Sequence, residues 1–179
     1  GKKTSANIGL FDLLFDIPKT ERKNSNQVVF AGNTEKCPFI KELQQVEDIQ
    51  WAVYGDTRSD KQPLPGSYGL IWEGSSISDI SNVSGQYLRW VSPLKLSNYL
   101  LHGMPVITHT DAATAAFIRQ NNIGFCVSSL YDIGSKIQSI SETQYNEMEE
   151  NCRRISKQVS EGYFTGQAIK KILDEINVS

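Results

Sequence analysis

The stretch SPLKLSNYLLHGMPVI, residues 92–107, predicts a helix that passes through Gly103 into a buried strand. Leu96 and Tyr99 recur at helical spacing, and the apolar run after the glycine, with Pro105 near its start, is typical of a strand. Glycine is the residue that most favours the end of a helix. The stretch therefore predicts the helix-to-strand step of an α/β domain.

The rest of the chain repeats this alternation. Short apolar or β-branched runs that end at glycine or a polar turn predict strands, and amphipathic stretches between them predict helices. Continuously apolar strands separated by helices imply a mainly parallel sheet that is covered on both faces. We therefore expect an α/β, Rossmann-like, doubly wound fold with strands at residues 27–31, 49–54, 67–72, 104–108 and 124–127.

The helical stretches also carry recognisable ends. Ser141, with Gln144 three residues later, forms a capping box, and Asp111 is expected to cap a helix that runs through Asn121. Apolar positions predict two further helices, one over Phe39, Leu43 and Val46 and one over Leu130, Ile133, Ile137 and Ile140. Gly162 and Gly166 are expected to end the helix that starts after Ser141, before a last helix begins.

Composition favours one globular domain over residues 1–179, with 1–24 as an interdomain or linker segment. A net charge of -2 gives no general attraction to nucleic acid or anionic lipid. No apolar run has the length that a membrane span requires. The odd count of 3 cysteines argues against a disulfide framework and fits a reducing, cytoplasmic setting.

Parallel sheets bind ligands at the carboxyl ends of their strands, often against helix N-termini. Here those ends include the Gly32–Lys36 loop, Glu73 with Gly74, and His109. The start of the helix at Ser92 is expected to lie at the same edge. The candidate site is therefore placed along this edge of the sheet.

Lys95 is the unusual residue at this edge. If Ser92 is the N-cap and Pro93 the first helical residue, Lys95 is the third, close to the positive end of the helix dipole. An exposed cation there costs about 0.3–1 kcal/mol. Lys95 is therefore either a solvated side chain that bends back to water or, with the free amides of the helix, a ligand for phosphate.

Lys36 offers a second cation for the same anion, since it also follows a strand and precedes a helix. The alternative for Lys36 is a surface ion pair with Glu35 or Glu42. The histidines are less specific: His102 falls at a helix end, where a cation suits the dipole, and His109 follows a strand at the candidate site.

Other polar features are mostly expected to be structural. Asp56 and Asp60 flank a loop that we interpret as solvated rather than metal-binding. The serine-rich stretch 74–86 is long for a connection, so it is either mobile or functional and is expected to border the site. The cysteines Cys37, Cys126 and Cys152 sit beside apolar residues and are interpreted as structural.

Several segments in order carry a family resemblance. VVFAGNTEKCPFIKEL, SYGLIWEG, QYLRWVSPLKLSNYLLHGMPVIT and AATAAFIRQNNIGFCVSSL resemble the C-terminal half of bacterial glycosyltransferases of GT-B architecture. This family includes galactofuranosyltransferases and the glucosyltransferases that extend glycans on streptococcal adhesins. The most specific piece is the proline, lysine and leucine of PLKL followed by G-x-P-V-I.

The resemblance implies a donor-nucleotide domain that binds a nucleotide-sugar, specifically a UDP-hexose, without a cofactor. The sugar would pass to a glycan or glycoprotein hydroxyl, and the N-terminal acceptor domain would lie outside this chain. By position in the family motifs, the donor would be bound by Gly32, Asn33, Lys36, Glu73, Ser92, Pro93 and Lys95. Assembly into a homo-oligomer is left open by the sequence.

The motif also differs from that of many relatives, which have asparagine and histidine where this chain has Ser92 and Leu94. The sequence also bears on two other functional classes. A flavodoxin-like regulatory module is disfavoured because VVFAGN supplies no acidic cluster after the first strand. A non-catalytic module of the same fold, binding a nucleotide or a glycan without turnover, remains an alternative.

Overall fold

Five parallel strands form one sheet within the part of the chain that the computed structural model describes, residues 9–15, 19–55 and 64–177. The sheet has the order β2-β1-β3-β4-β5. This is a Rossmann-like α/β architecture, and it confirms the predicted fold class. The strands are β1 (Gln27–Ala31), β2 (Gln50–Tyr54), β3 (Tyr68–Ile71), β4 (Val106–His109) and β5 (Gly124–Val127).

Helices flank the sheet in the order expected of a β-α alternation. The α-helices are α1 (Val83–Gln86), α2 (Leu94–Leu101), α3 (Ala115–Gln120), α4 (Ile133–Gln138), α5 (Glu142–Ser160) and α6 (Tyr163–Asn177). Short 3-10 helices cover Thr34–Lys36, Pro38–Gln45, Tyr87–Arg89 and Leu130–Asp132. Among the described residues, no helix has both the length and the apolar character needed to cross a membrane.

The strand order creates a switch point between β1 and β3. The chain leaves β1 toward β2 on one side, and β3 leads toward β4 and β5 on the other. All five residues of β1 pair with β2, whereas only Val28 and Val29 pair with β3, opposite Tyr68 and Gly69. The two central strands therefore separate at their carboxyl ends, which is where such sheets bind ligands.

The gap between β1 and β3 is filled by Tyr99 of α2. Its fully buried hydroxyl accepts the Ala31 N–H at 2.8 Å and lies 3.2 Å from the Leu70 carbonyl, to which it can donate. Gly69 makes room for the ring, because a Cβ there would lie 2.4 Å from Tyr99 Cγ. The tyrosine thus replaces the ladder hydrogen bonds that the separated strands cannot make with each other.

The two sides of the sheet are covered by different helices. Successive strand residues point to opposite faces, so Phe30 faces away from Val29, whose partner Gly69 meets Tyr99 of α2. On the Phe30 side, its ring packs edge-to-face on Phe39 of the Pro38–Gln45 helix, with centroids 5.4 Å apart. This covering of both faces agrees with the continuously apolar strands.

Several predicted helix details are confirmed and others were wrong. The capping box of Ser141 and Gln144 is present at the start of α5. The stretch after Pro38 forms a 3-10 helix rather than an α-helix. Thr114, not Asp111, is the N-cap of α3, because Asp111 pairs with Arg89 instead.

The predicted break at Gly162 is present, but the one at Gly166 is wrong. Gly162 has φ +75°, a left-handed conformation that glycine adopts without strain, and it separates α5 from α6. Gly166 lies inside α6, where a glycine lowers helix propensity without ending the helix. The interpretations of Asp56 and Asp60, and the parts of the predicted linker at residues 1–8 and 16–18, fall outside the described residues.

At the amino ends of the strands, a buried arginine joins three segments of the chain. Arg22 donates to the carbonyls of His102 and Leu64 at 3.2 and 2.9 Å, and also to the Gly66 carbonyl. These bonds attach the segment before β1 to the turn after α2 and to the residues before β3. They satisfy a charged group that would otherwise be costly to bury.

His102 lies at this end of the sheet as the C-cap of α2, and it is not the helix-end cation that the sequence predicted. The imidazole is buried, and its Nδ1 accepts the Leu64 N–H at 3.2 Å. Burial, reinforced by the Arg22 charge, lowers the pKa of His102 from 6.5 to about 4. The ring is therefore neutral near pH 7.

Removal of one hydroxyl should test the role of Tyr99. Tyr99→Phe leaves the buried Ala31 N–H without an acceptor, so we expect a loss of about 1–3 kcal/mol in the free energy of unfolding, measured by urea denaturation. Tyr131→Phe is the control, because its half-exposed hydroxyl bonds Gln45 at 3.2 Å. Equal and small losses in both variants would contradict the assigned role.

His102 should make stability depend on pH. Below pH 6.5 the unfolded chain protonates His102 while the folded protein does not until about pH 4, so stability is lost as pH falls through this window. His102→Asn keeps an acceptor for Leu64 and should flatten that decline relative to wild type. Urea denaturation at a series of pH values measures both curves, and parallel curves would refute the prediction.

Candidate functional site

The candidate site is the crevice between β1 and β3 at their carboxyl ends. Gly32 follows β1, Glu73 follows β3 by two residues, and the N-terminus of α2 supplies Lys95. Lys95 and Tyr99 lie one helical turn apart and therefore on the same face of α2. The turn that places Tyr99 between the strands thus places Lys95 directly at the mouth of the crevice.

Lys95 is held in this position by three neighbours. Its Nζ lies 2.5 Å from Glu73 Oε1 and 4.7 Å from the centroid of the Phe30 ring, a cation–π distance. Gly32 leaves space for the side chain, because a Cβ there would lie 2.6 Å from Lys95 Cε. Lys95 is only 9% exposed, so the interpretation as a solvated surface lysine was wrong.

Glu73 also contacts Cys37 in the same crevice. The Cys37 thiol donates to Glu73 Oε2 at 3.4 Å, while the other carboxylate oxygen binds Lys95. Burial, together with the negative charge of Glu73, raises the pKa of Cys37 to about 11. The thiol is therefore protonated at neutral pH and acts as a hydrogen-bond donor, consistent with its predicted structural role.

The helix begins one residue later than the sequence predicted. Pro93 is the N-cap, with an extended ψ of 142°, and Leu94 is the first helical residue, so Lys95 is the second rather than the third. The Pro93 carbonyl accepts the Leu96 N–H at 3.0 Å. Ser92 is therefore not the cap, and its buried Oγ has no hydrogen-bond partner within the described residues.

Asn33 and Lys36 lie on the loop after Gly32. The Asn33 side chain accepts the amides of Glu35 and Lys36 at 2.9 and 3.3 Å and so caps the short 3-10 helix. Lys36 is exposed, and among the described residues it forms neither of the ion pairs expected with Glu35 or Glu42. Its neighbour Cys37, rather than Lys36 itself, contacts Glu73, the ion-pair partner of Lys95.

The serine-rich stretch after Glu73 is an ordered, compact segment. Gly74 has φ +109° and lies so close to Asn82 that a Cβ would be 2.8 Å from the amide nitrogen. Two apolar side chains of the segment, Ile77 and Ile80, are buried, and the Asn82 side chain caps α1. The segment therefore extends the carboxyl end of the sheet as a packed structure.

His109 is placed at this end of the sheet with Nδ1 engaged. Nδ1 accepts the Asp111 N–H at 3.0 Å. Its ring lies 5.3 Å from the Trp72 ring, and burial lowers the pKa of His109. The geometry assigns His109 to the wall of the site rather than to a free acid or base.

The structure therefore brings Gly32, Glu73 and Lys95 into contact, leaves Asn33 and Lys36 on the adjoining loop, and adds residues that sequence reasoning did not assign. These residues are Phe30, which the sequence placed only in a strand, and Cys37, which was interpreted as a structural cysteine. Their positions on either side of the Gly32 loop could have indicated a place in the site. Among the described ranges, no group of three or more His, Cys, Asp or Glu side chains is arranged to hold a metal ion.

Two kinds of similarity bear on this site. The sequence profile of the family described as "Glucosyltransferase 3-like, C-terminal domain" matches residues 61–172. The β-1,6-galactofuranosyltransferase WbbI of Escherichia coli K12 is 29% identical over 94% of this chain and 57% of its own length.

Two streptococcal proteins named Glucosyltransferase 3 are each 25% identical to the chain. The match covers 88% of the chain and 50% of the Streptococcus parasanguinis protein, and 92% and 52% for the Streptococcus gordonii protein. The chain thus spans about half the length of these relatives. Since the family profile covers more than half of the chain, the protein belongs to the Glucosyltransferase 3-like, C-terminal domain family.

Proposed function

We propose that this chain is the donor-nucleotide domain of a glycosyltransferase and that it binds a nucleotide-sugar of the UDP-hexose type. The observation that carries the proposal is the Lys95 ammonium, held at the β1/β3 crevice beside Gly32 and the first turn of α2. A crevice at a switch point is the usual ligand site of such sheets. The relatives named as glycosyltransferases support the same reaction class.

The diphosphate would bind where Lys95 now meets Glu73. Its oxygens would accept hydrogen bonds from Nζ and from the free amides at the start of α2, where the helix dipole favours an anion. Lys95 would then exchange the Glu73 carboxylate for a phosphate. Its ammonium is already removed from water, so binding would not have to desolvate it again. Lys36, exposed on the neighbouring loop, would supply a second cation, and Asn33 would hold that loop in shape.

Glu73 would be released by this exchange. Its carboxylate, two residues beyond β3, would then accept a hydrogen bond from a ribose or sugar hydroxyl. Ser92, whose buried hydroxyl has no partner among the described residues, is the other polar group that a donor could satisfy at the helix start, beside Pro93. The same residues therefore account for the ion pair in the structure and for the proposed contacts with a donor.

The chemistry assigned to this domain is stabilisation of the leaving group. In sugar transfer the bond between the anomeric carbon and the diphosphate oxygen breaks, the acceptor hydroxyl oxygen bonds that carbon, and the hydroxyl proton is lost to a base. Lys95 and the α2 amides would stabilise the charge that develops on the diphosphate. We place the base, and the domain that binds the glycan or glycoprotein acceptor, in sequence beyond the matched half.

Titration calorimetry with UDP tests the phosphate site. We expect wild type to bind UDP and Lys95→Met to weaken binding at least about tenfold, or about 1.4 kcal/mol, because the methionine keeps the apolar stem and removes the charge. Lys41→Met, on the exposed side of the Pro38–Gln45 helix, is the matched control. No heat of binding to folded wild type, or equal affinity in both variants, would overturn the proposal.

Glu73→Gln refines the same experiment. The amide removes the carboxylate that competes with phosphate for Lys95 while keeping the shape of the side chain, so we expect UDP to bind at least as tightly as in wild type. Weaker binding of UDP to this variant would show that Glu73 is not a competitor. If a protein of the full length of the relatives, containing this chain, binds UDP but transfers no sugar, the non-catalytic module is favoured.

Gly32→Ala should weaken UDP binding without removing any charged group. The new Cβ would lie 2.6 Å from Lys95 Cε, which forces the ammonium out of its place. We expect a loss of affinity of about three- to tenfold, or about 1 kcal/mol. Gly55→Ala, on the loop after β2, is the control because its nearest neighbour is Thr34 Oγ1 at 3.8 Å. Equal UDP affinity in the two variants would refute the requirement for glycine at position 32.

A further inference from the structure

Two large aromatic side chains project into solvent beside the candidate site. Trp90 is 83% exposed and Tyr87 is 62% exposed. They lie three residues apart across a 3-10 turn, a spacing at which side chains project in the same direction. An exposed tryptophan is uncommon in an ordered segment, because its burial would contribute more apolar surface than that of any other residue.

The backbone beneath these aromatics is firmly fixed. Leu88, between them, is fully buried, and its carbonyl accepts the Ala113 N–H at 2.8 Å. Arg89 forms an ion pair with Asp111 at 2.9 Å on the loop after β4. The exposure of Trp90 and Tyr87 is therefore a property of a rigid surface and not of a loose loop.

This surface lies at the same carboxyl end of the sheet as the crevice. Gly85 of α1, two residues before Tyr87, packs at the Gly74 turn that follows Glu73. On the other side, Trp90 is five residues before Lys95 along the chain. A molecule that lies on Tyr87 and Trp90 would thus sit next to the place where the donor sugar is proposed to be released.

The chemistry of the surface fits a carbohydrate. The C–H face of a sugar ring packs on aromatic rings, while its hydroxyl groups need hydrogen-bond partners at the edge of the ring. Arg89 and Asp111, about half exposed, and Gln86 border the two aromatics and supply donors and acceptors.

We propose that Tyr87 and Trp90 form a stacking surface for a sugar ring of the acceptor, with Arg89, Asp111 and Gln86 as hydrogen-bonding neighbours. The inference rests on the proposed donor function, since it gives the acceptor a contact on the donor domain itself. It places one ring of the acceptor glycan against the domain that holds the nucleotide, and so brings the accepting hydroxyl toward the crevice.

Saturation-transfer difference NMR on the full chain tests this proposal. The probes are methyl α-D-glucopyranoside and methyl β-D-galactopyranoside at millimolar concentration. We expect saturation transfer to the ring C–H protons of at least one glycoside, and a loss of about fivefold or more in Trp90→Ala and in Tyr87→Ala. Tyr163→Ala, which removes a comparably exposed aromatic from α6, should leave the signal unchanged.

Three results would overturn the stacking surface: no transfer to either glycoside, equal transfer in wild type and Trp90→Ala, or a wild-type dimer that Trp90→Ala converts to a monomer in sedimentation. Circular dichroism of each variant confirms that the fold is kept, as expected for exposed side chains. UDP titration of the same samples separates the two proposals. UDP binding without glycoside contact refutes only the stacking surface, whereas glycoside contact without UDP binding refutes only the donor site.

Discussion

The hydroxyl group of Tyr99 is the interaction on which the site depends. It takes the place of ladder hydrogen bonds where β1 and β3 separate, and so allows a gap in an otherwise continuous parallel sheet. Without it, the buried Ala31 amide and a facing carbonyl would be unpaired at the centre of the domain. The strand order places the gap at the switch point, and Tyr99 can fill it because Gly69 has no Cβ.

The crevice contains a balance of charge within the chain itself. Lys95 lies where an anion is favoured by the helix terminus, and Glu73 provides that anion from within the chain. Partly buried ion pairs of this kind contribute little net stability, because desolvation offsets their attraction. In the proposed function, this pair keeps the Lys95 side chain ordered at the start of α2 until a donor phosphate takes the place of Glu73.

The sequence was sufficient for the fold but not for the site. Apolar strands, turn glycines and the Ser141 capping box have local causes, and each was predicted. The contact of Lys95 with Glu73, 22 residues away, depends on the strand order and could not be read from spacing. His102 was wrongly expected to be charged, because its surroundings are distant in sequence: Leu64 lies 38 residues away and Arg22, which bonds its carbonyl, 80 residues away. The late start of α2 at Leu94 depends on the conformation of Pro93 rather than on its residue type.

Helix α2 also links the two ends of the sheet mechanically. Its 8 residues form a rigid rod of about 12 Å. One end is fixed by Lys95 to Glu73, and the other by His102 to Arg22 and Leu64. A rod anchored at both ends cannot slide along its axis unless one anchorage gives way. The position of Lys95 in the crevice is thereby tied to residues that never touch it, and a substitution around Arg22 would alter the crevice from the far side of the domain.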